Sequence, residues 1–239
     1  MLMDLDLQAL FYAFFGGLLP AALWLWFWLK EDSVHPEPRG LIVITFIAGM
    51  VAVIFVLPIQ QYIFQNFSPF IKETSIAMFF LLAFVEEIMK FLAAYLVALR
   101  SKAFDEPIDA LIYMVTAALG FTAFENALFL IKPISDGLVV DSIITGNMRF
   151  VGASILHVMT SAIVGLGLAL FFYKKRAIRR DVIFVGLMVA TVLHTMFNLS
   201  IISNSGSNMF VTFLVLWFSV VGLLLFFEKI KRFSQINAT

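Results

Sequence analysis

The sequence contains no cysteine and has few charged residues. Without cysteine, the chain has no disulfide, thiol nucleophile or thiolate metal ligand. Only 13% of its 239 residues are charged, whereas 62% are hydrophobic. A soluble domain carries about 25% charged residues, so this chain lacks the side chains that a water-facing surface needs. The formal net charge is zero, which gives no indication of a polyanionic partner such as nucleic acid.

Strand patterns are also missing, because the apolar residues form long uninterrupted runs. Each run is long enough to cross a hydrocarbon core of about 30 Å, and a chain in lipid satisfies its backbone hydrogen bonds by forming helices. The sequence therefore predicts an all-α, multi-pass protein of the cell membrane, with the lipid bilayer as its surroundings and residues 1–239 as one integral membrane domain. The seven predicted spans are 8–29, 40–65, 74–98, 107–131, 149–173, 181–202 and 208–227.

Two further stretches are predicted from local sequence signals. Residues 133–148 contain Pro133, Gly137 and Gly146, which favours a loop with room for a small interfacial segment. The N-terminus carries Asp4 and Asp6 and has neither a basic stretch nor a small-residue cleavage motif. We therefore expect the first apolar run to be a retained span rather than a signal peptide.

Positive charges are distributed unevenly between the two sides that seven spans define. One side carries Lys30, Arg39, Arg100, Lys102, Lys174, Lys175, Arg176, Arg179, Arg180, Lys229, Lys231 and Arg232. The other side carries Lys72, Lys132 and Arg149. Since basic residues accumulate in cytoplasmic connections, this distribution predicts a cytoplasmic C-terminus and an N-terminus outside.

Six acidic, basic or histidine side chains lie in the interior of the predicted spans, away from the span ends. They are Glu86, Glu87 and Lys90 in the third span, Glu125 in the fourth, His157 in the fifth and His194 in the sixth. A charged group at the bilayer centre costs about 3 kcal/mol on insertion scales, so we expect these groups to contact one another around a polar cavity. A purely structural ion pair between Glu86 and Lys90, which are i and i+4, is the alternative. That alternative leaves the other carboxylates and the imidazoles of four successive spans unexplained.

Spacing groups these residues into four short patterns. They are E-E-x-x-K at residues 86–90, F-x-x-x-E-N at 121–126, H-x7-G at 157–165 and H-x3-N at 194–198. Adjacent glutamates are about 100° apart on a helix, so only one of Glu86 and Glu87 can point straight into the cavity. His194 and Asn198 share one helix face, and Gly165 would allow close approach of a neighbouring helix.

In this order and on four consecutive spans, the patterns resemble the PrsW family of membrane proteases. The resemblance covers residues 74–202 and implies that this part is the catalytic core. The related CAAX prenyl endopeptidases and Abi proteins usually have arginine and histidine where this chain has Lys90 and Glu125, which favours PrsW. The resemblance implies an intramembrane endopeptidase whose substrate is a single-span membrane protein. It further implies site-1 cleavage of a membrane-anchored anti-sigma factor in a stress response.

The residue chemistry allows two hydrolytic mechanisms. In the first, Glu86 or Glu87 is the general base, while His157 and His194 position water or stabilise the oxyanion. Asn198 would then be a neutral oxyanion donor, and Glu125 would hold one histidine in its tautomer. Lys90, Asn126, Phe121 and Gly165 would have supporting roles.

The second mechanism uses a divalent metal such as zinc. The candidate ligands are Glu87, Glu125, His157 and His194. The sequence has no helical H-E-x-x-H pattern, so it does not predict the usual zinc-protease geometry, and the choice between the two mechanisms stays open here.

The predicted depth of the cluster is the middle to outer half of the bilayer, because Glu86, Glu87 and His194 lie near mid-membrane. This depth predicts cleavage of a substrate at or just outside its outer membrane boundary. Glu125 is near the outer end of its span, and His157 lies about eight residues from the outer end of its own, at 1.5 Å per residue. An ion- or proton-coupled transporter is one alternative function, because intramembrane Glu and His chains also line ion paths. Transporters usually contain internal repeats, and none is evident in the sequence. A non-catalytic membrane scaffold of the same fold is the other alternative.

Overall fold

The computed structural model describes residues 7–31, 36–202 and 207–237, which are helical apart from short connections. The helices are α1 (Leu7–Glu31), α2 (Arg39–Phe67), α3 (Ile76–Val97), α4 (Pro107–Ser135), α5 (Val139–Met148), α6 (Ser154–Leu170), α7 (Arg176–Ile202) and α8 (Ser207–Asn237). A π-helical turn, Arg149–Ala153, joins α5 to α6. The described ranges contain no strand, so the predicted all-α bundle is confirmed.

Within the described ranges, six helical segments are long and apolar enough to cross a membrane. They are α1, α2, α4, α7, α8 and the continuous segment Val139–Leu170 formed by α5, the π-turn and α6. The remaining predicted span is α3, whose 22 residues would extend about 33 Å. Its middle carries Glu86, Glu87 and Lys90, all of which are buried. Because α3 packs against α2, α4 and α7, these charged groups contact protein instead of lipid.

The predicted loop at 133–148 is wrong. Helix α4 continues through Pro133 to Ser135, and α5 begins at Val139. Only residues 136–138 leave the helical conformation, and Gly137 adopts a positive φ of 71° in this turn. Turn-forming residues are weak helix breakers here because a helix satisfies backbone groups that lipid cannot. The segment from Val139 to Leu170 would therefore extend about 48 Å, which exceeds the hydrocarbon core.

Helix α4 is at the centre of the bundle, with 20 of its 29 residues buried. It contacts α1, α2, α3, α6 and α8. Glycines allow these close crossings, because a Cβ at Gly120 would overlap the carbonyl oxygen of Phe46 in α2. Gly165 lies where α6 crosses α4, and a Cβ there would be 2.8 Å from the carbonyl oxygen of Ala110. The contact is typical of membrane helices that pack through small residues.

Candidate active site

A cavity of about 640 Å³ lies between α2, α3, α4, α6 and α7, with the π-turn and α8 completing its wall. Most of its lining is apolar. The polar side chains in the wall are Gln60, Glu86, Glu125, Arg149, His157, His194 and Asn198. The cavity therefore brings together residues from every one of the four predicted sequence patterns.

The two adjacent glutamates of α3 have different surroundings. The Oε1 atom of Glu87 accepts hydrogen bonds from Lys90 Nζ and from His194 Nδ1, both at 2.7 Å. Glu86 lines the cavity, and its Oε1 accepts a hydrogen bond of 2.7 Å from Gln60 Nε2. The buried Oε2 of Glu86 has no hydrogen-bond partner among the described residues and lies 3.6 Å from His194 Nε2. Of the two carboxylates, Glu86 is thus the one presented to the cavity.

Lys90 connects α3 to α6 through a fully buried ammonium group. Besides Glu87, its Nζ contacts His157 Nδ1 at 3.1 Å and donates to Thr160 Oγ1 at 3.2 Å. Because an ammonium only donates hydrogen bonds, Nδ1 of His157 accepts and Nε2 carries the ring proton. This Nε2 then donates to Glu125 Oε2 at 3.0 Å. The ring of His157 is fixed in one orientation from both sides.

The ring of Phe121 packs against the side chains of His157 and Lys90. Its ring centroid lies 5.4 Å from that of His157 and 5.7 Å from Lys90 Nζ. The rings of His157 and His194 are 5.1 Å apart and nearly perpendicular. Phe121 therefore packs against the histidine–lysine contact and restricts where both side chains can move.

Arg149 is a site residue that the sequence analysis missed, since it counted this arginine among the charges outside. In the structure, Arg149 Nη2 donates to Glu125 Oε2 at 2.6 Å, and its Nε donates to Asn126 Oδ1 at 2.6 Å. Asn126 in turn donates to Ser154 Oγ at 3.2 Å. The signal that could have revealed Arg149 is the imbalance of three intramembrane carboxylates against one lysine. Its position on a π-helical turn also fits, because such turns are frequent at functional sites.

Gln60 and Thr160 were missed as well, because each is a single uncharged polar residue in an apolar run. Asn198, which the sequence predicts at the site, lines the cavity wall. Gly165, also predicted as a supporting residue, is absent from the lining and belongs to the contact between α6 and α4. The remaining predicted residues meet around the cavity.

The donor set of the cavity fits a divalent metal ion. Glu86, His157 and His194 each offer one ligand atom, and these atoms lie within 4.8 Å of one another. His194 presents Nε2 to the cavity because Glu87 holds its Nδ1, an arrangement in which a carboxylate orients a metal-binding imidazole. A metal at Nε2 of His157 would replace the ring proton there, as is usual when metals compete with protons for imidazole.

The carboxylate of this set differs from the ones predicted. Glu87 and Glu125 were the candidate ligands, but Glu87 is bonded to Lys90 and His194, and Glu125 forms an ion pair with Arg149. Glu86 instead has an unpaired oxygen. The buried cluster contains three carboxylates and two cationic side chains, so one negative charge is left over when both imidazoles are neutral. A bound cation would compensate this charge in a site removed from water.

Comparison with known proteins identifies one family. The model described as "PrsW family intramembrane metalloprotease" matches residues 37–224. A protein named Protease PrsW from Halalkalibacterium halodurans is 24% identical over 231 residues, which cover 93% of this chain and 97% of that protein. Proteins of the same name from Geobacillus kaustophilus and Bacillus subtilis are 24% and 26% identical, covering 86% and 93% of this chain and 88% and 95% of their own lengths. No solved structure gives a significant match.

Proposed function

The chain belongs to the PrsW family of membrane proteases, and from this premise we propose that it hydrolyses a peptide bond of a single-span membrane protein in the cavity beside Glu86. The observation that carries the proposal is the buried Oε2 of Glu86, which has no hydrogen-bond partner in the described part of the chain and lies 3.6 Å from His194 Nε2. Leaving a buried carboxylate oxygen unpaired is costly unless a ligand, water or proton occupies it.

Glu86, His157 and His194 would hold a divalent metal such as zinc, which when bound supplies an activated water and a Lewis acid for the scissile carbonyl. The Oε2 atom of Glu86 would either help to hold this metal or accept a proton from the attacking water. The two mechanisms predicted from sequence therefore use the same arrangement of residues. They differ in whether Oε2 of Glu86 contacts a metal or accepts a proton. Sensitivity to a chelator distinguishes them.

The other polar residues orient this centre. Glu87 holds the Nδ1 proton of His194, so Nε2 faces the cavity. In the mechanism without a metal, Glu125 accepts a hydrogen bond from His157 Nε2, and in both mechanisms Arg149 fixes the Glu125 carboxylate. Asn198 lies in the cavity wall, where its amide can donate a hydrogen bond to the oxyanion that develops during hydrolysis.

The depth of the site supports cleavage in the outer half of the bilayer. At 1.5 Å per residue, Glu86 lies about 15 Å along α3 from Ile76, and His194 about 12 Å from the end of α7 at Ile202. The charge bias of the connections predicts that both of these helix ends lie outside. We propose a single-span protein of the anti-sigma-factor type as the substrate, cut at site 1 near its outer membrane boundary.

The test is proteolysis of a single-span reporter by purified protein in liposomes. We expect Glu86→Gln to lower the cleavage rate by at least about 100-fold, because it removes the charged oxygen at the reacting centre. Glu73→Gln is the matched control, since Glu73 is exposed between α2 and α3. Equal cleavage by wild type and Glu86→Gln would contradict the proposal.

A chelator arm separates the two mechanisms. Loss of cleavage on adding a membrane-permeant chelator, with recovery on adding zinc, assigns Glu86 to metal binding. Cleavage that survives the chelator but not Glu86→Gln assigns the same carboxylate to water activation alone.

A further inference from the structure

The cavity is open toward the lipid at three of its lining residues. Leu57 in α2, Phe129 in α4 and Met148 in α5 are 46%, 54% and 44% exposed. All other residues of its lining are buried or half-buried. We call these three residues the cavity rim. The opening lies between the outer part of α2 on one side and the ends of α4 and α5 on the other.

Helix α2 changes from partly buried to mostly exposed at the cavity rim. Its buried residues, which end with Val56, all belong to the inner two-thirds of the helix, and there Phe46 and Gly49 pack against α4. In the outer segment, residues 57–67, every residue except Gln60 and Ile63 is exposed. Pro58 lies at the boundary and removes a backbone hydrogen bond, which favours bending at this point. The outer segment is therefore the weakly packed part of the cavity wall.

Gln60 is the polar link between this outer segment and the reacting centre. Its Nε2 donates to Glu86 Oε1 at 2.7 Å and to the carbonyl oxygen of Leu82 at 3.3 Å. A displacement of the outer segment away from α3 breaks both hydrogen bonds and changes the orientation of the Glu86 carboxylate. Gln60 thus couples the position of α2 to the group that the proposed chemistry uses.

We infer that the membrane segment of the substrate enters between the outer segment of α2 and α4, across the cavity rim, and that Gln60 is a positioning residue for Glu86. This inference rests on the proposed proteolytic function. The rim is apolar, whereas Gln60 and Asn198 lie further inside. A polypeptide segment fits this change from apolar to polar lining. Its apolar side chains match the rim, and its backbone amides can pair with the inner polar groups. A lipid chain offers no hydrogen-bond donor or acceptor to the Asn198 amide or to the side-chain oxygen of Gln60.

Photocrosslinking from single positions tests the entrance. Benzoylphenylalanine is placed at Leu57, Phe129 or Met148 in a Glu86→Gln background, together with the single-span reporter that the wild type cleaves. The matched controls are Val43, Phe184 and Phe218, which are 55%, 61% and 68% exposed and lie outside the cavity lining. Val43 is in α2 itself, so it controls for the helix.

We expect a crosslinked band from each rim position, none above background from the controls, and loss of the band on adding unlabelled reporter. Equal bands from the controls, crosslinks to lipid alone, or no band at all would overturn the entrance. Because the background is catalytically impaired, this result does not depend on turnover. Failure of the proposed function would appear instead as undiminished cleavage by Glu86→Gln.

A second pair of variants tests Gln60. Gln60→Met keeps the length of the side chain but removes the donor, and we expect the rate constant for cleavage to fall about tenfold, as is common for residues that orient a ligand or base. Gln61→Met, which changes an exposed neighbour, should leave the rate constant for cleavage unchanged. Equal rates for the two variants would overturn the positioning role, and an effect on KM alone would assign Gln60 to substrate contact.

Discussion

Glu87 and Lys90 form an ion pair at 2.7 Å whose side chains are 1% and 0% exposed. The pair also contacts both histidines, since Glu87 bonds to His194 and Lys90 to His157. Such a pair adds little net stability when it replaces apolar packing, but removing one member leaves an uncompensated buried charge. Its residues contact both imidazoles, and we expect loss of either member to destabilise the fold.

At the residue scale, Lys90→Met should destabilise the protein by about 3 kcal/mol, because Glu87 loses its ammonium partner in a buried site. The measurement is unfolding of the purified protein in mixed micelles. Lys132→Met is the matched control, because Lys132 also pairs with a carboxylate, Asp136, but is 83% exposed. Lys132→Met should have no measurable effect on the free energy of unfolding. Similar losses of unfolding free energy for the two variants would show that burial of the ion pair does not determine how much stability is lost.

At the element scale, the glycines of α4 and its neighbours set the helix spacing. Gly49 and Gly120 bring α2 and α4 into backbone contact, on the cytoplasmic side of the cavity under the predicted orientation. Beyond this crossing the two helices line the cavity through Leu57 and Phe129. The close crossing therefore supports the opening above it, because it holds the inner part of α2, whereas none of the residues of the outer segment is buried.

Gly120→Ala should destabilise the protein by about 1–3 kcal/mol, since the new methyl overlaps the Phe46 carbonyl and the helices must separate. Gly222→Ala is the control in α8, where a Cβ meets nothing within 4 Å. That change should be neutral or stabilising by up to about 1 kcal/mol, the helix preference of alanine over glycine. Both are measured by the same unfolding assay. A tolerated Gly120→Ala would mean that α2 and α4 are not in tight contact.

The π-helical turn is the other element that shapes the site. A π-turn accommodates one extra residue, so it shifts the residues on either side by about 100° relative to a regular helix. The turn begins at Arg149, whose guanidinium forms hydrogen bonds with Glu125 and Asn126 of α4. The turn thus supplies the second cation of the cluster.

At the scale of the whole molecule, the orientation of the bundle decides which side of the membrane the cavity faces. The absence of cysteine makes single engineered cysteines clean topology probes. In intact cells, Lys72→Cys should react with a membrane-impermeant maleimide, whereas Lys174→Cys should react only after lysis. The reason is that three spans separate the two positions and the basic side is cytoplasmic.

The opposite labelling pattern would invert the orientation and move the site to the cytoplasmic half. Labelling of both positions from the same side would mean that one segment between them does not cross the membrane. Helix α3 would then be the first to re-examine, because its three charged residues set it apart from the six segments that are apolar enough to span.

Hydropathy and residue chemistry along the chain were sufficient to predict the helical class, the approximate spans and most of the residues that meet around the cavity. Hydropathy acts locally along the chain, so runs such as 40–65 and 107–131 correspond to α2 and α4 within a few residues at their starts. Charged groups in apolar runs are costly wherever they lie, so Glu86, Glu125, His157 and His194 could be grouped without knowing the packing. The family followed from the same residues.

The direction of each side chain depends instead on how the helices pack. Rotation of α3 about its axis turns Glu86 toward the cavity and Glu87 toward Lys90 and His194, and neighbouring positions in a sequence carry no signal for that rotation. Gln60 joined the site because α2 packs against α3, and Arg149 because a π-turn directs it toward Glu125. These contacts depend on which helices pack together and at what angle, which is a property of the whole bundle.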